Sequence, residues 1–191
     1  MTLNFILSSV NELEEEPRIL KAQKSSKGFL IKNKDSGQEL KIHGYGDNKR
    51  HGLLLRDYET LFLIHSSKFE VFQTNKKLTF NDILNTALLR DQYAWTKFLI
   101  YRDLRTRGYI PKEGFGFGAD FRVYEKGEYG SKPAKYVVFA MNEGTEINVQ
   151  SLISSVKQIS RMGKSPIVAV VERRGEVIYY HLTKSRFRDL S

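Results

Sequence analysis

The stretch of sequence that decides the fold runs from Ala119 to Val138 and reads ADFRVYEKGEYGSKPAKYVV. Apolar residues alternate with polar ones near both ends, which is typical of β-strands, and glycines lie in the segment between them. The pattern predicts two strands joined by a loop, with Tyr124 ending the first strand and Pro133 opening the second. A tyrosine at a strand end is commonly a half-buried core residue whose hydroxyl reaches water.

The elements around this stretch predict a mixed sheet. Apolar residues recur at helical spacing from Asp91 to Arg107 and from about Asn148 to Met162, so we expect a helix in each segment. The runs PIVAVVE and EVIYYHL, separated by RRG, predict a terminal hairpin. The order helix, strand, strand, helix, strand, strand predicts an α/β domain with a mixed central sheet over residues 90–191. In its second helix, we expect these apolar residues to face inward: Val149, Leu152, Ile153, Val156 and Ile159.

The first half of the chain mixes shorter elements, and we expect a small α+β domain over residues 1–89. Turn residues separate the apolar runs, and helical spacing recurs twice. The predicted elements are the strand KGFLIKN, the turn DSGQ, the strand ELKIHGYG, the loop DNKRHG, the helix LLRDYETLFLIHSS, the strand KFEVFQT and the helix TFNDILNTALL.

Composition excludes several kinds of site. The chain has no cysteine, so disulfides, thiolate zinc sites and cysteine nucleophiles are excluded. Its four histidines are scattered without metal-ligand spacing, and Asp120 has no carboxylate partner at the spacing that a metal-dependent nuclease needs. The apolar run at the N-terminus is too short to cross a bilayer, and no basic segment precedes it. We expect a cytoplasmic protein that uses no metal and no cofactor and has no membrane partner.

The charge of the chain indicates a polyanionic partner. The formal net charge is +9 at pH 7. Residues 1–89 hold 13 Lys and Arg against 11 Asp and Glu, whereas residues 90–191 hold 18 against 11. Such an excess favours binding to nucleic-acid phosphates, mainly through the second half. A surface rich in Lys and Glu can also be basic without such a partner, so charge alone leaves both interpretations open.

A set of basic residues is predicted to form the phosphate contact. Lys157, Arg161 and Lys164 follow one another at i, i+4 and i+7, which places them on one helix face opposite the apolar stripe. Such a face is suited to contacting RNA phosphates, although a charged helix face is often only solvated. The closely spaced glycines of GFGFGAD, residues 114–120, are followed by strand-like alternation, which excludes a dinucleotide-binding loop because that loop must open a helix.

Longer stretches of the second half resemble one known family. The segment Tyr101–Gly127, YRDLRTRGYIPKEGFGFGADFRVYEKG, is similar to the signature of the archaeal tRNA-splicing (tRNA-intron) endonucleases. The similarity continues through KYVVFA, SSVKQISRMGK and IVAVVERRGEVIYY, and LLLRDYETLFLIHSSKFEV resembles part of the family's N-terminal domain. The resemblance implies a nuclease-like C-terminal domain and precursor tRNA as the substrate.

The resemblance also implies a specific chemistry. The family cleaves the bulge-helix-bulge of precursor RNA without metal, leaving a 2′,3′-cyclic phosphate and a 5′-hydroxyl, with a tyrosine as base, a histidine as acid and a lysine beside the phosphorane. The tyrosine position corresponds to Tyr124. The lysine position corresponds to Lys164 when the chain is aligned back from IVAVVE without a gap, whereas starting from SSVK would select Lys157. The histidine position is occupied by Pro133.

The missing histidine predicts a supporting role. Losing a general acid typically costs about a hundred- to ten-thousandfold in rate. We therefore expect a structural subunit that joins a catalytic paralogous subunit in an α2β2 heterotetramer. The resemblance implies pairing of subunits through the terminal hairpin, and docking through the loop VERRGEV, in which Glu172 and Glu176 supply acid while Arg173 and Arg174 depart from the expected acidic character.

Two alternatives stay open at this point. The chain could be an active nuclease in which Lys132, or a histidine from a partner, replaces the family acid. A lysine is poorly matched to that role, because its reference pKa is about 10.4 whereas that of histidine is about 6.5. The chain could also be an RNA-binding protein that belongs to no nuclease.

Overall fold

Two β-sheets and five helices form the computed structural model, which describes residues 19–66 and 69–184. The N-terminal apolar run considered above lies outside the described residues. The first sheet has the strand order β3-β4-β2-β1-β5-β6 and the second has the order β11-β10-β9-β8-β7. In the described part of the chain, no helix is long and apolar enough to cross a membrane.

The strands of the first sheet are β1 Leu20–Ser25, β2 Gly28–Ile31, β3 Asp47–Lys49, β4 Gly52–Leu55, β5 Phe69–Gln73 and β6 Lys76–Leu78. The strands of the second are β7 Ile110–Gly116, β8 Ala119–Tyr124, β9 Tyr136–Asn142, β10 Ser165–Val171 and β11 Val177–His181. The helices are α1 Lys34–Ile42, α2 Asp57–His65, α3 Phe80–Arg90, α4 Ala94–Thr106 and α5 Val149–Arg161.

The first sheet corrects the prediction for residues 35–52. The segment predicted as the turn DSGQ and the strand ELKIHGYG is the helix α1, whose N-terminus is capped by the Asn33 side chain accepting a hydrogen bond from the Ser36 amide at 2.9 Å. Ser36 and Gly37 are buried because α1 lies close to β4, where the Cβ of Leu53 faces Gly37. Ser36 and Gly37, which indicated a turn in the sequence, therefore allow α1 to pack closely against β4. The predicted loop DNKRHG is the hairpin β3–β4.

The second sheet confirms the predicted mixed sheet. Strand β9 pairs antiparallel with β8 and parallel with β10, and β10 forms the predicted terminal hairpin with β11. The glycine-rich segment 114–118 covers the end of β7 and the two-residue turn to β8, with Phe117 at φ 59°. A strand follows the glycines as predicted, whereas β7 before them was not predicted. The second strand of the opening stretch begins at Tyr136. Pro133 thus lies three residues before the strand that it was predicted to open.

One hydrophobic core extends across both sheets. Helix α4 packs against α2 and α3 on one side and against β7, β9 and β10 on the other. Its Tyr101 is fully buried, with the ring centroid of Tyr58 at 4.9 Å. Tyr58 also meets Phe121 of β8 at 5.1 Å. All strands of the first sheet end by Leu78 and those of the second begin at Ile110, while the division into domains at residues 89 and 90 stays a prediction.

A buried ion pair also joins the two sheets. The Lys112 amine of β7 donates to the carbonyl oxygen of Gly46 at 2.6 Å and lies 3.4 Å from the Glu59 carboxylate of α2. That carboxylate also accepts hydrogen bonds from the backbone amides of Gly46 at 2.9 Å and Arg56 at 2.8 Å. Burial raises the pKa of Glu59, while the attraction of Lys112 opposes that shift. The Lys112 amine also lies 3.6 Å from the Asp47 carboxylate, whereas Glu59 is fully buried and depends on Lys112 as its countercharge.

We predict that Lys112→Met, which keeps the apolar stem, lowers the free energy of unfolding by about 3–5 kcal/mol, because it leaves Glu59 buried without a countercharge. The loss should be smaller at about pH 5 than at about pH 8. Without Lys112 the pKa of Glu59 rises further above its unfolded value, so the protonated group stabilises the fold at low pH and that contribution disappears as pH rises. Urea denaturation at the two pH values measures the difference.

The matched control for that experiment is Lys76→Met, since Lys76 is exposed on β6. It should change stability by no more than about 0.5 kcal/mol. The double variant Glu59→Gln/Lys112→Met should recover part of the loss, because it removes the uncompensated charge. An unfolding free energy of Lys112→Met equal to that of the control would contradict the prediction.

Candidate functional site

Three strand ends meet at one edge of the second sheet. Because β8 runs opposite to β9 while β9 and β10 run together, the end of β8 lies beside the starts of β9 and β10. Val123 of β8 and Ser165 of β10 flank Tyr136 of β9 and both pair with it. Tyr124 directly follows Val123 and Lys164 directly precedes Ser165, so both lie just beyond these paired residues at the same edge of the sheet. Strands are spaced about 4.8 Å apart, so the backbones of Tyr124 and Lys164 are on the order of 10 Å apart.

A cleft of about 430 Å³ opens beside the end of β8. Tyr124 is half-buried there, and its ring meets that of Tyr129 edge to face at a centroid distance of 5.0 Å. Pro133 lies on the opposite part of the loop and is exposed. The described residues that line the cleft include no histidine; they are Lys41, Tyr124, Tyr129, Gly130, Ser131, Lys132 and Pro133.

Lys164 is tied to the same loop. Its amine donates a hydrogen bond of 2.5 Å to the carbonyl oxygen of Ala134, the residue after Pro133, and lies 5.8 Å from the centroid of the Phe115 ring. The backbone supports this contact, since the Lys135 amide donates to Val123 at 3.0 Å and the Ser165 amide donates to Lys135 at 2.9 Å. Through these bonds the segment 133–135 connects the Tyr124 cleft to Lys164.

Two lysines of the loop, Lys132 and Lys135, are engaged with carboxylates. The Lys132 amine lies 2.5 Å from Glu128, and this hydrogen bond raises the pKa of Lys132 above its ordinary value. The Lys135 amine and the Tyr136 hydroxyl both donate to Glu125, at 2.6 and 2.8 Å, which holds the pKa of Glu125 low. A lysine whose pKa is raised is a weaker proton donor near neutrality than an ordinary lysine, so Lys132 is a poor candidate for a general acid.

Helix α5 carries two of the three predicted phosphate contacts. Lys157 and Arg161 are exposed on its last turns. The helix ends at Arg161, and Gly163 takes a φ of 68°, so Lys164 belongs to the following loop and not to the predicted helix face. Lys157 moreover borders an apolar groove together with Ile153 and Leu182, so it does not lie opposite the apolar stripe.

The apolar stripe of α5 is only partly buried. Ile159 is fully buried, and Leu152 and Val156 are half-buried, but Val149 is 61% exposed and Ile153 is 45% exposed. The prediction that all five residues face inward is therefore wrong for these two. Within the described residues, β10 is the strand that helix α5 packs against. The helix therefore buries a narrower apolar stripe than a helix in the middle of a core.

The predicted interface carboxylates lie in the turn between β10 and β11. The turn is closed by hydrogen bonds from the Glu172 amide to the Glu176 carbonyl at 2.9 Å and from the Gly175 amide to the Glu172 carbonyl at 2.8 Å. The Arg173 guanidinium lies 3.7 Å from Glu143, which follows β9. Glu143 thus adds a third carboxylate to this turn and offsets part of the positive charge that the sequence introduces there.

Two large side chains of the cleft, those of Tyr129 and Lys41, were not predicted. Tyr129 lies in the loop, and Lys41 comes from the last turn of α1. The glycines around Tyr129 indicated a loop but gave no sign of which way its ring points. Lys41 was missed because its segment was predicted as a strand. In the structure this segment is the last turn of α1, which places the Lys41 side chain in the cleft beside Tyr124.

Comparison with known proteins gives a consistent result. Residues 94–179 match the family described as tRNA intron endonuclease, catalytic C-terminal domain, and this range contains Tyr124, Pro133 and Lys164. The chain is 32% identical over 147 residues to a tRNA-splicing endonuclease of Thermococcus gammatolerans, covering 73% of this chain and 86% of that protein. It is 29% identical over 144 residues to that of Pyrococcus furiosus (75% and 83%). It is 28% identical over 166 residues to that of Methanococcus maripaludis (86% and 94%).

The match of residues 94–179 to the family model and the 32% identity over 73% of the chain lead to one assignment: the chain belongs to the tRNA intron endonuclease family.

Proposed function

We propose that this chain is a non-catalytic, structural subunit of a tRNA-splicing endonuclease, which excises introns from precursor tRNA at bulge-helix-bulge motifs. The relatives support the reaction, because they are named tRNA-splicing endonucleases. The observation that carries the structural role is Pro133. It borders the Tyr124 cleft where the family resemblance expects a histidine, and proline has no proton to donate.

The surroundings of Pro133 support this reading. Cleavage by attack of the 2′-hydroxyl needs an acid that protonates the departing 5′-oxygen. Lys132 is the nearest amine in sequence, but its hydrogen bond to Glu128 raises its pKa and makes it a weaker acid. Tyr124 and Lys164 keep their family positions without a complete triad. Lys164 instead supports the loop through the Ala134 carbonyl.

The proposed partner is a catalytic paralogous subunit in an α2β2 assembly. Strand β11 is the last strand of its sheet, and its edge side chains Ile178 and Tyr180 are 36% and 51% exposed. An open strand edge with apolar side chains favours pairing with another chain. The turn with Glu172 and Glu176 would dock on a basic surface of the partner, with Lys157 and Arg161 contacting RNA phosphates.

The first test is reconstitution on a precursor RNA with a bulge-helix-bulge. The chain alone should cut at least about a hundredfold more slowly than its complex with a catalytic paralogue, because it lacks the general acid. Rapid cleavage by the purified chain alone would overturn the structural role. Stoichiometric RNA binding without stimulation of any paralogue would instead favour an RNA-binding protein outside the nuclease.

The second test separates a structural from a catalytic chain within the complex. Tyr124→Phe in this chain should leave the single-turnover cleavage rate within about threefold, because the chemistry belongs to the partner's own residues. The matched control is Tyr129→Phe, which removes a hydroxyl from the same cleft. A loss of about tenfold or more for Tyr124→Phe, with Tyr129→Phe unchanged, would show that this chain cuts RNA with a substituted acid.

The third test concerns docking. We expect Glu172→Gln/Glu176→Gln to weaken association with the catalytic subunit, because two exposed ion pairs are worth about 0.4–2 kcal/mol together, or about two- to thirtyfold in dissociation constant. Titration calorimetry measures the change. Arg174→Gln, in the same turn, should not weaken association. Weakening by Arg174→Gln alone would mean that the arginines of the turn make the contact.

A further inference from the structure

A second cleft lies between α1 and the hairpin β3–β4 of the first sheet. Its volume is about 550 Å³. Its floor is shaped by Gly52, where a Cβ would come within 2.1 Å of the Ile31 carbonyl, so only glycine allows β2 and β4 to approach so closely. The described residues lining it include none that is acidic; they are Ile31, Lys32, Asn33, Lys34, Gly37, Gln38, Asn48, Lys49, Arg50, His51, Gly52 and Leu53.

The described residues provide no carboxylate partner for the cations around this cleft. Lys32, Lys34, Lys49 and Arg50 are all exposed. Across residues 19–66 and 69–184, no carboxylate lies within salt-bridge distance of any of these four side chains. Near the candidate site, by contrast, Lys132 and Lys135 each lie within salt-bridge distance of a carboxylate. Four unpaired cations around one concavity create a local positive potential.

Helix α1 connects this cleft to the Tyr124 cleft. Lys34 and Gln38 line the first, and Lys41 lines the second. These residues stand at i, i+4 and i+7, so they share one face of the helix. The acidic residues Asp35 and Glu39 lie about 100° or more around the axis from Lys34. Lys34 and Lys41 are separated by about 10 Å along the axis, which spans on the order of three phosphates of one nucleic-acid strand.

We propose that this basic track, formed by Lys32, Lys34, Gln38, Lys41, Lys49 and Arg50, binds the phosphate backbone of the precursor RNA outside its cleavage site. The inference rests on the proposed function, because it takes precursor RNA as the ligand. Lysine and arginine would neutralise phosphates, and the amides of Gln38 and Asn48 suit contacts to phosphate and sugar oxygens. Such contacts hold an RNA in register without reading its bases.

An RNA backbone fits this track better than an acidic protein does. Protein interfaces are enriched in aromatic residues and depleted of lysine at their centres. The cleft contains three lysines, one arginine and a histidine, and its apolar residues Ile31 and Leu53 are buried beneath it. It therefore offers charge to a partner but little apolar surface.

This basic track was not predicted from the sequence. The first 89 residues are nearly neutral, but four of their eleven acidic residues lie between residues 11 and 18. From residue 19 to 89 the count is 12 basic against 7 acidic residues. The cations that form the track also come from segments that are separate in sequence, and the predicted strand over residues 39–46 would not have aligned Lys34 with Lys41.

The test is RNA binding by the full chain, measured by fluorescence anisotropy of a labelled bulge-helix-bulge RNA at salt concentrations between about 50 and 200 mM. We expect Lys49→Gln/Arg50→Gln to weaken binding and to lower the slope of log affinity against log salt by roughly 1.4 to 1.8, because two phosphate contacts are lost. Gln38→Glu, which adds a negative charge in the middle of the track, should weaken binding as well.

Two controls carry the same change in charge elsewhere. Lys27→Gln/Lys76→Gln removes two exposed cations at the opposite end of the first sheet, and Gln23→Glu adds a charge on β1. Both should leave the slope unchanged, and all variants should melt within a few degrees of the parent. A slope for Lys49→Gln/Arg50→Gln equal to that of its control would overturn the proposal. Weaker association with the catalytic subunit at an unchanged RNA slope would also overturn it, in favour of an acidic protein partner.

A separate comparison distinguishes this inference from the proposed function. Lys157→Gln/Arg161→Gln tests the RNA contact on α5 in the same assay. A lower slope for that variant, with no effect of Lys49→Gln/Arg50→Gln, would remove the track and leave the proposed function intact. A parent chain that binds no precursor RNA, alone or in the complex, would remove both.

Discussion

The pairing of β9 with one antiparallel and one parallel neighbour is the constraint on which the candidate site depends. An antiparallel neighbour brings its end to the start of β9, and a parallel neighbour brings its start to the same place. Residues 40 positions apart in the chain, Tyr124 and Lys164, therefore reach one edge of the sheet. A sheet of purely antiparallel strands would have carried Lys164 to the opposite edge. The strand topology therefore brings Tyr124 and Lys164 to the same edge of the sheet, whatever side chains stand at these positions.

The ion pair of Lys112 and Glu59 constrains how the two sheets are placed against each other. It crosses from β7 to α2, and it uses the Gly46 backbone both as a donor and as an acceptor. The hydrophobic effect that holds the two layers together has no preferred direction. A buried charge pair with directional hydrogen bonds fixes one relative position. The same position brings α1, a helix of the first sheet, against a loop of the second.

Much of the second half could be predicted from the sequence. Long apolar periodicities mark α4, β9 and the hairpin β10–β11, and these elements are where they were expected. The errors arose where packing overrides local preference. Ser36 and Gly37 have the composition of a turn, yet they are buried in α1 because a small helix surface fits against β4. Lys164 continues a helical spacing, but Gly163 ends the helix before it. Nothing in local sequence reveals that Lys41 and Tyr124 share a cleft, since this depends on contacts between the sheets.

The backbone around Pro133 has a consequence for how such a chain changes over time. The ladder between β8 and β9 begins with the amide of Lys135, so residue 133 contributes no amide to it. The side chain at 133 is exposed, and Ala134 supplies the carbonyl that holds Lys164. A substitution at 133 therefore changes an exposed side chain and leaves this ladder and the Lys164 contact in place. Under the proposed function, a duplicated gene loses its activity at this position while selection on folding and assembly continues, and the change stays structurally reversible.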